Sequence, residues 1–252
     1  MKFGVHILFF NQDKWILKTI ENCGPYVDRI YVAWSKTPWG YNKNSTVVNE
    51  SNVEFLKQSP YYDKITVIQG EWELDEDERN SCLEQAKSDG MDYLITQDAD
   101  EFYTFSGYQS IIDGIRQNPN YDYYTTPWYV FWKDQAHIIE RENGDRIAGY
   151  PEVAINLSVP DIHFVRCRRP NSTYHKRLDA LCYHMCFVFD TDQDCWNKIN
   201  SWSHSHQFDT QRWYDNYWLK WTPELRHLHP IHPTEWYKAV VYTGELPEVL
   251  RG

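Results

Sequence analysis

The regular exchange of short apolar runs for helix-like segments over the first hundred residues constrains this chain most. "KFGVHILFF" (2–10), "DRIYVAWS" (28–35), "DKITVIQGEW" (63–72) and "MDYLITQD" (91–98) are each apolar enough to be strands covered on both faces. Between the first two, Asn11 can cap a helix in which Ile16, Ile20 and Cys23 share one face, and Gly24-Pro25 stops it. "STVVNESNVEFLKQSP" (45–60) reads as a weaker helix. "DEDERNSCLEQAKSDG" (75–90) reads as a helix with acids in its first turn and Gly90 beyond its end. Strands joined through helices must run largely parallel, so the expectation is an α/β, doubly wound, Rossmann-like sheet flanked by helices.

The second half changes character. A helix on Tyr108, Ile111, Ile112 and Ile115 ends near Asn118-Pro119, and "YDYYTTPWYVFW" (121–132) follows as one aromatic strand. A hairpin is expected around Asn143-Gly144. Further strands lie in "VAINLSV", "IHFVRCRR" and "DALCYHMCFVFD", extending the sheet with antiparallel pieces. Thr191 and Asp194 form a capping box that opens a helix through Cys195, Ile199 and Trp202, and the Pro- and His-rich C-terminal stretch reads as irregular. No linker or repeat interrupts the chain, so a single domain over 1–252 is expected.

Charge and composition exclude some partners. The formal net charge of −11 argues against nucleic acid, whose phosphates call for a basic surface. The 12 Trp and 19 Tyr suit both cores and sugar-binding clefts. The N-terminal apolar run contains His6 and no small-residue cleavage site, so it reads as a buried strand rather than a leader. No stretch approaches the roughly 20 apolar residues that span a bilayer. Six cysteines without a CxxC read as reduced thiols of a cytoplasmic protein.

The fourth apolar run ends in "ITQDADEF", with Asp98, Asp100 and Glu101 in four residues. Carboxylates this close are costly to keep ionised without a cation, and a divalent metal supplies one. In open α/β sheets, ligands bind beyond the carboxyl ends of the strands, which is where this cluster falls.

Four stretches together resemble the GT-A glycosyltransferases of the broad family 2 type. They are "LFFNQDKWILKTIENCGPYVDRIYVAWS", "ERNSCLEQAKSDGMDYLITQDADE", the DxD of Asp98-Ala99-Asp100, and "LCYHMCFVFDTDQDCWNKI". The resemblance implies a GT-A-like fold with a nucleotide-sugar half (1–105) and an acceptor half (106–252). It implies Asp100 and His184 as ligands of Mn²⁺ or Mg²⁺, Asp98 on the metal or the ribose, and Glu101 bracing the loop. The backbone around Phe9, Phe10 and Asn11, with Ser35 on the second strand, would line the nucleoside, and Arg79 would lie near the diphosphate. The donor would be a nucleotide-diphosphate sugar, and the acceptor a glycan or a lipid-linked sugar. That acceptor is compatible with peripheral membrane contact. Inverting transfer needs a base, for which Glu152 is the expected residue among Asp134, Glu152 and Asp161. Cys182, His184 and Cys186 share a strand face, but at about 7 Å between successive members they are too spread for one tetrahedral zinc ion. The alternatives are a nucleotidyltransferase acting on sugar phosphates and a non-catalytic carbohydrate-binding protein.

Overall fold

The computed structural model describes residues 1–42 and 45–251. Its first half is β1 (Phe3–Leu8), α1 (Asp13–Cys23), β2 (Arg29–Trp34), β3 (Ile65–Gln69), α2 (Asp75–Ser88), β4 (Tyr93–Thr96), β5 (Glu101–Phe102) and α3 (Phe105–Gln117). Strands β3, β2, β1 and β4 lie side by side and parallel. Their side chains alternate between two buried faces, as a doubly covered sheet requires. Val5, Ile7, Ile30, Val32 and Ile95 pack with Ile16, Ile20 and Cys23 of α1 and with Tyr108, Ile111 and Ile115 of α3. Tyr31, Ala33 and Leu94 point the other way, onto Cys82, Leu83 and Ala86 of α2. Helix α2 stops where Gly90 takes φ +70°, a left-handed turn that glycine adopts without steric cost.

The strand order has a functional consequence. Chain order runs outward from β1 through β2 to β3 on one side and jumps to β4 on the other. The connections therefore diverge between β1 and β4, leaving a crevice at their carboxyl ends.

The second half supplies β6 (Tyr123–Thr125), β7 (Trp128–Trp132), β8 (His137–Glu140), β9 (Glu152–Asn156), β10 (Phe164–Arg166), β11 (Arg169–Pro170), β12 (His175–Arg177) and β13 (Cys182–Phe187). Then come α4 (Asp192–Ser201), α5 (Thr210–Trp213), which runs into a π-helical turn over Tyr214–Trp218, and β14 (Lys238–Val241). Strand β9 pairs antiparallel with β4 and β6, and β12 closes that seven-stranded sheet. A second sheet has the order β14-β8-β7-β13-β5. Behind it lies an aromatic core in which Trp132 and Phe187 meet Trp213, Trp218 and Trp236.

The α/β architecture with a largely parallel central sheet is as expected, and five local readings need correction. Asn11 does not cap α1. It sits at φ +52°, its amide donating to Val48 O and accepting from Glu50 N, and Gln12 precedes the helix instead. The segment 45–60 forms only a 3₁₀ helix at Val53–Gln58, because the Asn49 amide ties the chain to Phe9 O and Ser35 O at the ends of β1 and β2 while its oxygen accepts from Asn11 N and Ser51 N. "YDYYTTPWYVFW" is two strands in two sheets, split at Thr126-Pro127, where proline lacks the donor a continuous ladder needs. The chain does turn at Asn143-Gly144, but β8 finds β14 as its outer partner rather than a local return strand. The C-terminal stretch, expected to be irregular, therefore contributes β14.

Candidate functional site

The acid cluster forms a tight turn between the two sheets. Glu101 N donates to Asp98 O at 3.0 Å, while the Glu101 carboxylate accepts from Asp98 N at 3.1 Å. Thr19 of α1 donates to Ala99 O, and Met185 N of β13 donates to Asp100 O at 2.7 Å. Glu101 is buried and grips Arg168 through two bonds of 2.6 and 2.9 Å. It braces the turn, as expected, with an arginine that the sequence did not point to.

Protein cations already compensate both aspartates. Arg79, from α2, places its guanidinium 2.9 Å from Asp98 and 3.2 Å from Asp75. Asp100 receives the Lys198 ammonium of α4 at 2.8 Å on Oδ2, and the His184 ring of β13 lies 3.3 Å from Oδ1. Burial would raise both carboxyl pKa values, but Arg79 and Arg168 beside Asp98, and Lys198 and His184 beside Asp100, hold them well below the usual carboxylate range. Burial likewise disfavours the His184 imidazolium, yet Cys186 and Asp100 push its pKa well above the ordinary value. Trp128 stacks on the His184 ring at 4.8 Å and 25°, which fixes the ring's plane.

These groups line a cleft of about 410 Å³ at the crevice between β1 and β4. Phe10 and Ser35 stand at the ends of β1 and β2, with Trp39 beyond them. On the α2 side Glu78, hydrogen-bonded by Trp39 Nε1 at 2.7 Å, has its pKa raised by burial to about 7. The opposite wall carries His204, His229 and His232 with Trp202 and Trp236. His229 Nδ1 accepts from Ile231 N and His232 N. Burial, His232 and His204 lower the His229 pKa to about 3, so this ring is neutral and its proton sits on Nε2. A second cleft of about 370 Å³ continues past Lys198 and Phe10 toward Asn11, Lys14, Asp190 and Asp194.

Arg79, Asp98, Asp100, His184, Ser35 and Phe10 thus come together around one cleft, and Asn11 lines the second. Phe9 does not join them. Its side chain is in the core, its N–H bonds Ala33 O and its carbonyl accepts from Asn49. Glu152 heads β9 and is absent from the lining of either cleft. Sequence reasoning missed Cys186 as a neighbour of Asp100, Glu78 and Asp75 at the start of α2, and Arg168. For Lys198 a signal existed, because the capping box at Thr191 aims α4, and so its lysine, at the turn.

No protein-family profile matches the sequence, and no curated protein does. Among solved structures, S. aureus TarS residues 1–349 is similar at TM-score 0.47 and 13% identity, over 82% of this chain and 68% of that one. A longer S. aureus TarS chain matches at 0.47 and 13% over 78% of this chain and 38% of its own. A mannose-1-phosphate geranyltransferase from Thermus thermophilus matches at 0.36 and 13% over 62% and 50%. At these values the likenesses carry no inference about this chain's chemistry. No helix among the described residues is long and apolar enough to cross a membrane.

Proposed function

We propose that this chain is a glycosyltransferase that moves a sugar from a nucleotide-diphosphate donor to the hydroxyl of a glycan or lipid-linked acceptor. The observation that carries the reading is the Asp98–Asp100 turn at the end of β4. It opens on the crevice between β1 and β4 together with Arg79, Lys198 and His184. Transfer breaks the bond from the anomeric carbon to the diphosphate and forms one to the acceptor oxygen, so negative charge grows on the leaving group. Lys198 and Arg79 are cations held at that place with little freedom to reorganise, which favours such a charge. Ser35, Phe10 and Trp39 offer the flat and polar surfaces a nucleoside needs.

The donor set also suits a divalent ion. Asp100 Oδ1 and His184 Nε2, 3.3 Å apart, are spaced like adjacent ligands on one ion, while Lys198 remains on the other oxygen. When bound, such an ion would stabilise the departing diphosphate. Asp98 is taken up by Arg79, so its role in the reading is to hold that guanidinium toward the phosphates. The base expected at Glu152 heads β9 outside both clefts, so in this reading it would take the hydroxyl proton only from an acceptor that reaches that end of β9. A nucleotidyltransferase is less well supported, because the turn after β1, Phe9-Phe10-Asn11-Gln12, has no glycine to wrap a triphosphate.

Thermal-shift titration with UDP-, GDP-, CMP- and dTDP-sugars, with and without Mn²⁺, tests the reading. At least one donor should raise the melting temperature. Absence of stabilisation by every donor in both conditions would refute it.

A further inference from the structure

We propose that Asp100, His184 and Cys186 form a binding site for a zinc-class divalent ion, with the Cys186 sulfur as a direct ligand. The proposal deepens the reading above. It depends on that reading for what the ion does, but not for whether it binds.

Three observations carry it. First, one ligand atom from each residue lies within 4.8 Å of the other two, and all three residues are buried against the cleft. Residues two apart in a flat strand would stand about 7 Å apart. Here the pairing of β13 with β7 loses register between His184 and Phe187, so the strand is not flat where these side chains leave it. The Met185 N to Asp100 O bond then clamps that irregular stretch against the turn carrying Asp100.

Second, His184 is 8% exposed, and its Nε2 already faces Asp100 Oδ1 at 3.3 Å, so a buried ring nitrogen is aimed at the carboxylate that would share the ion. Trp128 holds the ring in one plane.

Third, the charges and donor types suit this ion and not a harder one. A carboxylate and a thiolate together offset a divalent charge. Carboxylate, imidazole and thiolate form a three-residue set that leaves the fourth tetrahedral position to water or substrate. Magnesium instead demands six oxygens in near-octahedral geometry, which a sulfur and a nitrogen do not supply. On binding, the thiol proton and the proton between His184 and Asp100 pass to solvent as the three metal–ligand bonds, from Asp100, His184 and Cys186, form. Asp98 stays outside the set because both of its oxygens face Arg79.

The test uses chelator-treated full-length protein titrated with Co²⁺ and then Zn²⁺ in the absence of nucleotide. A near-ultraviolet thiolate-to-cobalt charge-transfer band should grow and should be displaced by zinc. Cys186→Ser should lose the band and weaken zinc binding at least about tenfold. Cys167→Ser, which alters the one cysteine that is not fully buried, should keep it. A band that survives Cys186→Ser, or cobalt that binds the wild type without a band, overturns the proposal. X-ray absorption at the zinc edge of the unsubstituted protein guards against a misfolded variant. One sulfur at about 2.3 Å supports the site, and a shell of oxygen and nitrogen only refutes it. Because no nucleotide is present, failure here leaves the transferase reading standing, and failure of every donor sugar leaves this result standing.

Discussion

Replacing Arg168 by methionine should be among the most destabilising single changes near the cleft. The guanidinium gives Glu101 two bonds, at 2.6 and 2.9 Å, and Thr96 O a third at 3.3 Å. Glu101 is 1% exposed, so no water replaces the lost cation. Breaking one side of a buried pair costs about 3–5 kcal/mol. Two local terms reduce that. The Glu101 carboxylate keeps its bond from Asp98 N, and methionine removes an Arg168 Nε that is buried without a partner. Relieving that atom is worth about 1 kcal/mol, leaving a net loss of about 3 kcal/mol. For a chain of this size that is a fall in melting temperature of about 6–12 °C. Urea denaturation of Arg168→Met, Glu101→Leu and the double variant measures it. Removing both partners should recover most of the loss, because two apolar groups replace two desolvated charges. A single-variant loss below about 1 kcal/mol, or a double variant costing the sum of the singles, would refute the reasoning.

Other outcomes follow from the same geometry. Lys198→Met should tighten cobalt binding by about tenfold, since the ammonium competes for Asp100; calorimetry reads the change. Asp100→Asn should abolish any Mn²⁺-dependent stabilisation by a nucleotide sugar, whereas Glu152→Ala should keep donor stabilisation in a thermal-shift assay and lose transfer. Neutral in the fold down to about pH 3 but ordinary when unfolded, His229 contributes stability that is full above pH 6.5 and is lost as pH falls toward 3. Glu78 acts oppositely, since its folded pKa of about 7 exceeds the unfolded value, so stability declines as pH rises from 4.5 to 7. His229→Gln should therefore flatten the acid limb of a stability–pH curve, and Glu78→Gln should raise stability at pH 8 relative to pH 5.

The local patterns that carried the fold were legible because each element's signal is short-range. Ile16, Ile20 and Cys23 recur at helical spacing, and Val5 with Ile7, or Ile30 with Val32, recur at strand spacing; the core follows those periods. Asp98 and Asp100 were legible because they end an apolar run. What stayed hidden depends on contacts between residues far apart in sequence. Arg168 meets Glu101 across 67 residues, and Lys198 meets Asp100 across 98. Cys186 was set aside because a regular strand would hold it away from its neighbours, and the irregular pairing of β13 is invisible in composition. Asn11 looked like a helix cap on its own, but a partner segment 37–39 residues later claims its side chain.

The chain leaves one sheet at Thr96 and enters the other at Glu101, with only the turn of Gln97–Asp100 between them. This turn is one of the short bridges between the two sheets, and it carries both aspartates. Its length is therefore fixed from two directions at once: β4 is registered against β1, and β5 against β13. A single inserted residue would exchange the inward and outward faces of β5 or draw Asp100 away from His184. Substitution within the turn tests chemistry, whereas insertion tests how the two sheets are joined. Length changes here should be tolerated far less well than at Asn143-Gly144, an exposed turn within the longer loop from β8 to β9.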